Sequence, residues 1–273
     1  MKMYESARKR RCRQPTQQNK KAMMSMFSRF RLYRTAPLFV LSLPIFFPLS
    51  ASAQTAGSNV LNVGWLHLYT DDASQPLTRQ SPAGPATMAG SGATVSNANT
   101  PGLAYTRYLT DHFSLTLDIG LPPEFKLDGT GTLAGLHRLG TARQWSPALI
   151  AKWHFGEPNR TWRPYVGLGI THVWYSSIHL SSSLQTAVTA PFNGGVPGTA
   201  TASLSSSWAP VFNIGVNYKL DRRWSIGVSL SYIPLDTDVE ITGRNAAGAV
   251  ISRHTTDVAL DPYVGFLSLG YHF

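Results

Sequence analysis

Polar and apolar residues alternate with a period of two in several separate stretches. In one, Phe113, Leu115, Leu117, Ile119 and Leu121 interleave with Ser114, Thr116, Asp118 and Gly120. In another, Phe212, Ile214, Val216, Tyr218 and Leu220 interleave with Asn213, Gly215, Asn217 and Lys219. Trp224 to Tyr232 repeats the pattern with Ser and Gly on its polar side, and the last residues place Leu267, Leu269, Tyr271 and Phe273 on one face. Alternate side chains of a strand point to opposite faces, so each stretch is a strand with one apolar and one small, polar face. Roughly 9–11 residues is what a tilted strand needs to cross a bilayer.

Extending this reading gives eight strands, near 59–70, 94–110, 113–121, 144–155, 163–176, 206–220, 224–242 and 251–273. The connections alternate between short turns and long segments at 71–93, 122–143 and 177–205, rich in Gly, Ser, Thr and Pro and read as unstructured loops. Such alternation is the pattern of an eight-stranded antiparallel transmembrane β-barrel of the outer membrane, with both termini on the short-turn, periplasmic side. Aromatic residues sort to the strand ends in the same way. Tyr69, Trp145, Trp174, Trp208 and Tyr232 form one expected interfacial belt, and Phe113, Phe155, Trp162, Tyr218, Trp224 and Phe273 the other. Leu267, Leu269, Tyr271 and Phe273 form the expected barrel-assembly signal. Pro262 lies inside the last expected strand, where a bulge or a missing bond is expected. The first strand has apolar residues on both faces, so either could line the lumen.

Charge and cysteine then divide the chain. Eleven cations and a single acid, Glu5, precede residue 54 and account for the whole formal charge of +10; the remainder carries thirteen charges of each sign. A nucleic-acid partner is therefore not indicated. The apolar run 36–49 is too short and proline-rich to span a membrane, and Ala51-Ser52-Ala53 follows it. Residues 1–53 read as a signal peptide cleaved between Ala53 and Gln54, with an over-extended start and Met23, Met24 or Met26 as alternatives to Met1. Residues 54–273 read as one barrel domain. The chain's single cysteine, Cys12, falls in the leader, leaving no disulfide or thiol chemistry beyond it. With no long apolar stretch after the leader, a membrane location requires a closed barrel.

Candidate chemistry is sparse. The eight histidines lack metal spacing. No cofactor or metal is expected, and no enzyme; a Ser–His–acid hydrolase is the least favoured reading. Candidate lumen-lining residues are Asp118, Lys152, Asn213, Asn217, Lys219, Val264 and Phe266. Asp118, Lys152 and Lys219 are expected to pair across the lumen. Arg160, Arg163, Arg222 and Arg223 are expected to meet head groups or solvent at the short turns.

Several motifs together resemble the outer-membrane protein W (OmpW) family: Ala151-Lys-Trp-His-Phe-Gly156, Arg163-Pro-Tyr-Val-Gly-Leu-Gly-Ile170, Gly215-Val-Asn-Tyr218, Tyr232-Ile-Pro-Leu-Asp-Thr237, and Leu260-Asp-Pro-Tyr263 with Gly270-Tyr-His-Phe273. The resemblance spans roughly 58–273, while Gln144 to Leu149 and the loop 177–205 depart from it. It implies a narrow, largely apolar lumen passing small hydrophobic molecules through the outer membrane. A structural or surface-interaction barrel, contacted at its loops by surfaces, phage or bacteriocins, is the alternative. The implied partners are outer-membrane lipids, small hydrophobic ligands, and periplasmic chaperones with the barrel-assembly machinery.

Overall fold

The computed structural model describes residues 54–70, 72–80 and 85–273. The expected signal peptide, its alternative starts, Ala51 and Ala53 lie outside these residues. Eight strands form the barrel wall: β1 Asn59–Tyr69, β2 Ala98–Tyr108, β3 Phe113–Gly120, β4 Ala148–His154, β5 Trp162–Leu180, β6 Ser207–Lys219, β7 Trp224–Tyr232 and β8 Tyr263–His272. Each pairs antiparallel with its sequence neighbours. β8 returns to β1 from Val60↔His272 to Tyr69↔Tyr263, so no edge is left open. Closure satisfies the backbone in a medium without water. A folded sample in detergent should therefore run apart from a boiled one on a gel. Equal mobility, with solubility in the absence of detergent, would refute the barrel.

The outward face is the apolar one. Val63, Trp65, Leu117, Leu168, Ile214, Val228 and Leu267 are all exposed. β1, ambiguous in sequence, turns Val60, Asn62, Gly64, Leu66 and Leu68 inward. At the short-turn end, Asp221 closes the β6–β7 hairpin by accepting the N–H groups of Arg223 (2.6 Å) and Trp224 (2.7 Å). Those bonds hold its carboxylate below the usual pKa.

Four expected strands are shorter than their sequence pattern, and each ends for a local reason. β7 stops before Ile233-Pro234 and β8 begins after Asp261-Pro262, where 224–242 and 251–273 read as continuous. Proline supplies no N–H and restricts the residue before it. The two breaks face each other, joined by Ile233 N–H donating to the Pro262 carbonyl at 3.2 Å. Beyond them the chain resumes as a separate hairpin, Leu235–Arg244 with Val250–Leu260. Pro147 divides the expected 144–155 into Arg138–Trp145 and β4. The expected 94–110 breaks at Ser96-Asn97, where the Asn97 side chain accepts the Thr70 N–H at 3.2 Å.

The long connections are not unstructured, contrary to their composition. Strands Ser91–Val95, Glu124–Gly131 and Arg138–Trp145 form a sheet continuous with the upper part of β5. The 235–260 hairpin pairs with Thr199–Leu204 on one side and with Asp72–Ser74 and Thr78–Gln80 on the other. An α-helix, α1 Ser182–Thr189, starts at Ser181, whose hydroxyl accepts the Leu184 N–H at 3.2 Å. This N-cap satisfies a donor the helix leaves free. α1 buries Leu184 and Val188 against Leu77, Leu139 and Ile241, giving the long-loop end its own apolar core.

Candidate functional site

The barrel interior is divided into a polar floor and a largely apolar chamber. At the short-turn end Arg163 is 1% exposed. Its Nη1 donates to the Gln54 carbonyl (2.8 Å) and to Gln54 Oε1 (3.2 Å), and its Nη2 donates to the Asp111 carbonyl. The guanidinium lies 5.7 Å from the centre of the Tyr108 ring. The Asp111 carboxylate accepts the Ala56 N–H, and the Gly57 N–H donates to the Tyr108 carbonyl, so the segment after Gln54 is pinned beneath the barrel. His154 packs between Tyr108 (4.8 Å) and Tyr165 (5.2 Å) and shares a 2.8 Å hydrogen bond with Ser114. Lys152 places its ammonium 4.9 Å from the Tyr165 ring centre, a cation–π contact.

Above this floor lies a cavity of about 70 Å³. Leu66, Leu68, Ile150, Val211, Val264 and Phe266 supply its apolar lining; Thr100, Asp118, Gln144, Ser229 and Ser231 supply polar groups. Within the long-loop core is a second cavity of about 80 Å³, lined mainly by apolar groups including Leu77, Leu127, Leu139, Leu184, Ile241 and Val258.

The structure brings only some of the expected lumen residues together. Asp118, Val264 and Phe266 border the chamber, and Lys152 and Asn217 the polar space below. Asn213 is tied down, donating to Ser231 Oγ (2.9 Å) and to the Leu230 carbonyl (3.3 Å). Lys219 sits at the short-turn end near His272. The expected pairing of Asp118, Lys152 and Lys219 is not found. The ion pairs among the described residues are Arg138–Asp128, Arg143–Glu124 and Arg253–Glu240, all partly exposed in the long-loop region. Arg163 is a correction of a different kind. Expected at the surface, it is buried because it shares its strand face with Tyr165 and Thr171, while Trp162, Pro164 and Val166 face outward. That parity was legible in Arg163 to Ile170.

The aromatic residues meet in two sets. Trp145 and Trp174 stack in parallel at 5.9 Å, His172 bridges to Trp208 at 4.7 Å, and Tyr232 meets Tyr263 at 5.1 Å. At the opposite ends Trp162 meets Tyr218 at 4.6 Å, Trp224 meets Tyr271 at 5.0 Å, and Tyr271 lies 6.4 Å from Phe273. Phe113 stands opposite Trp153 in the β3–β4 ladder; Phe155, just beyond β4, and Tyr69 are exposed. Ser114–His154 and Ser225–His272 are the interior's two Ser–His hydrogen bonds of 2.8 Å among the described residues. In both the second ring nitrogen is unpartnered, so neither has the acid that orients a catalytic base.

A family model described as the OmpW family matches residues 55–273. The chain belongs to the OmpW family. Outer membrane protein W of Salmonella typhimurium is 32% identical over 204 residues, covering 70% of this chain and 86% of that one. Among solved structures, OprG of Pseudomonas aeruginosa superposes with a TM-score of 0.68 at 23% identity, covering 80% of this chain and 97% of that one. AlkL in lipid bilayers gives 0.57 at 20% identity, covering 83% and 95%. The protein is thus an outer-membrane barrel of a Gram-negative bacterium, and its neighbours by structure are barrels of the same kind.

Proposed function

We propose that this OmpW-family barrel binds small hydrophobic molecules and passes them passively into the outer membrane, its termini and short turns facing the periplasm. The observation that carries the reading is the division of the interior: apolar space above, a hydrogen-bonded cationic floor below. An apolar molecule crossing that floor would have to part the bonds of Arg163 and His154, at about 1–3 kcal/mol for each polar group left unsatisfied. It gains nothing in return, so a straight path is unfavourable.

A sideways path is better supported. The chamber's lining includes Leu103 and Ile119, on the outward face of β2 and β3, and the exposed Leu121 just beyond β3. The β2–β3 ladder ends there, at Gly102↔Gly120. Pro101 accepts the Leu121 N–H at 3.2 Å but has no N–H to return, and Pro122-Pro123 ends β3. The Thr100 hydroxyl donates to the Leu121 carbonyl at 2.8 Å instead, so the backbone ladder is interrupted where the apolar chamber meets lipid.

The test is entry of an apolar fluorescent hydrocarbon into vesicles whose outer leaflet is lipopolysaccharide. Vesicles with the barrel should fill faster than empty ones. Ser229→Trp, which fills the chamber, should remove the difference while keeping the heat-dependent gel shift. A folded barrel that neither binds nor speeds the probe would sink the proposal in favour of a surface-interaction role.

A further inference from the structure

Asp118 is an acid on an interior wall that supplies its Oδ1 with no hydrogen bond; the Lys152 ammonium acts on it electrostatically but does not reach ion-pair distance. Its cross-strand neighbours at the same level are Ala104 on β2 and Ala148 on β4, neither with a polar side chain. One turn of the pleat below, Thr106 and Thr116 spend their hydroxyls on each other at 3.0 Å. One turn above, Gly102 and Gly120 stand opposite, without side chains. Leu66 and Phe266 fill the space this leaves: a Cβ added at Gly102 would lie 2.7 Å from Leu66 Cδ1 and 3.2 Å from Phe266 Cε2, and one at Gly120 would lie 3.0 Å from Leu66. The carboxyl group thus stands in a notch beside an apolar shelf, on the border of the chamber. Its Oδ1 is buried and has no hydrogen-bond partner, and no cation lies within ion-pair distance of it among the described residues. A buried polar oxygen left without a partner is unfavourable unless something else supplies the donor.

We infer that the chamber selects small apolar molecules carrying one hydrogen-bond-donor group, such as an alkylphenol or a short alcohol, with the donor on Asp118 and the hydrocarbon body against Leu66 and Phe266. The inference rests on the hydrophobic-channel reading and narrows its substrate class. A purely apolar ligand leaves Oδ1 unsatisfied, whereas a hydroxyl in the notch satisfies it and keeps its own bond. A site built to bond a donor discriminates strongly against the analogue lacking it.

Calorimetric titration of the barrel in lipid nanodiscs, with empty nanodiscs subtracted, separates the cases. Ethylbenzene and 4-ethylphenol share ring and chain and differ by one hydroxyl. The wild-type barrel should bind 4-ethylphenol about tenfold tighter, the worth of one hydrogen bond to such an acceptor. Asp118→Leu should bind ethylbenzene at least as well and lose the preference. Asp118→Asn, which keeps the shape and one acceptor oxygen, should retain part of it and guards against a folding defect in the leucine variant. Equal affinities in the wild type, or a preference that survives Asp118→Leu, would overturn the inference while leaving the channel reading intact, because ethylbenzene still binds. If neither compound binds a folded wild-type barrel, the channel reading falls and this inference falls with it.

Discussion

Gly64→Val should abolish the folded barrel. A Cβ at this position would stand on the Leu267 carbonyl oxygen and lie 2.6 Å from Ser268 Cα. Both atoms are backbone, and both belong to β8, the strand that closes the wall against β1. A flexible side chain could turn away, but a hydrogen-bonded strand cannot. Overpacking in a close-packed site costs about 1–3 kcal/mol where neighbours can shift, and this site has less freedom than that. Because the clash lies on the seam joining first strand to last, it prevents closure rather than loosening one contact. An open seam leaves a row of unpaired N–H and C=O groups in lipid. The measurement is the heat-dependent gel shift after refolding into detergent, which should disappear. A variant that still shows the full shift would mean that β8 approaches β1 less closely than described.

Arg163→Ala should turn a closed floor into an ion path. The guanidinium holds the Gln54 segment, the Asp111 carbonyl and the Tyr108 ring together. Its removal leaves two backbone carbonyls and a side-chain amide oxygen without their donor, at about 1–3 kcal/mol each if they stay dry. Water entering the space relieves that penalty, and the surrounding polar groups, Lys152, Asn217 and Ser225 among them, can bond it. In planar bilayers the wild type should show little ion current, and the alanine variant discrete openings. Arg163→Lys restores the charge but not the fork of donors, so it should fall between the two. Currents equal in wild type and alanine variant would show that the floor is closed by something other than Arg163.

These two residues also mark how far the sequence could be read. The parity of alternating residues in Phe113–Leu121, Phe212–Leu220 and Trp224–Tyr232 sufficed for strands, faces and lengths, because a lipid-facing side chain has one acceptable chemistry. Parity equally placed Arg163 inward with Tyr165; the short-turn position suggested surface, and the strand face overrode it. Gly64 is different. Nothing local distinguishes it from Gly265 or Gly270 in the opposing strand, since its necessity arises from how near β8 passes.

The long loops were the weakest part of the reading for a related reason. Gly, Ser and Thr suggested disorder in 177–205, yet α1 and Thr199–Leu204 lie there, because Leu184 and Val188 find partners only when Leu77, Leu139 and Ile241 arrive from other segments. Asp118 shows the same division. Alternation on β3 put it inside the barrel, where an acid is expensive and so noteworthy. Its lack of a hydrogen bond at Oδ1 depends on Ala104 and Ala148, more than ten residues away on either side, standing beside it. Membrane location, the number of barrel strands and the inward or outward sense of the side chains outside β1, whose two faces are both apolar, follow from residues two apart, and the linear pattern holds them. The floor, the chamber and the notch depend on which strands become neighbours and how closely they pass, and that is fixed when the sheet closes.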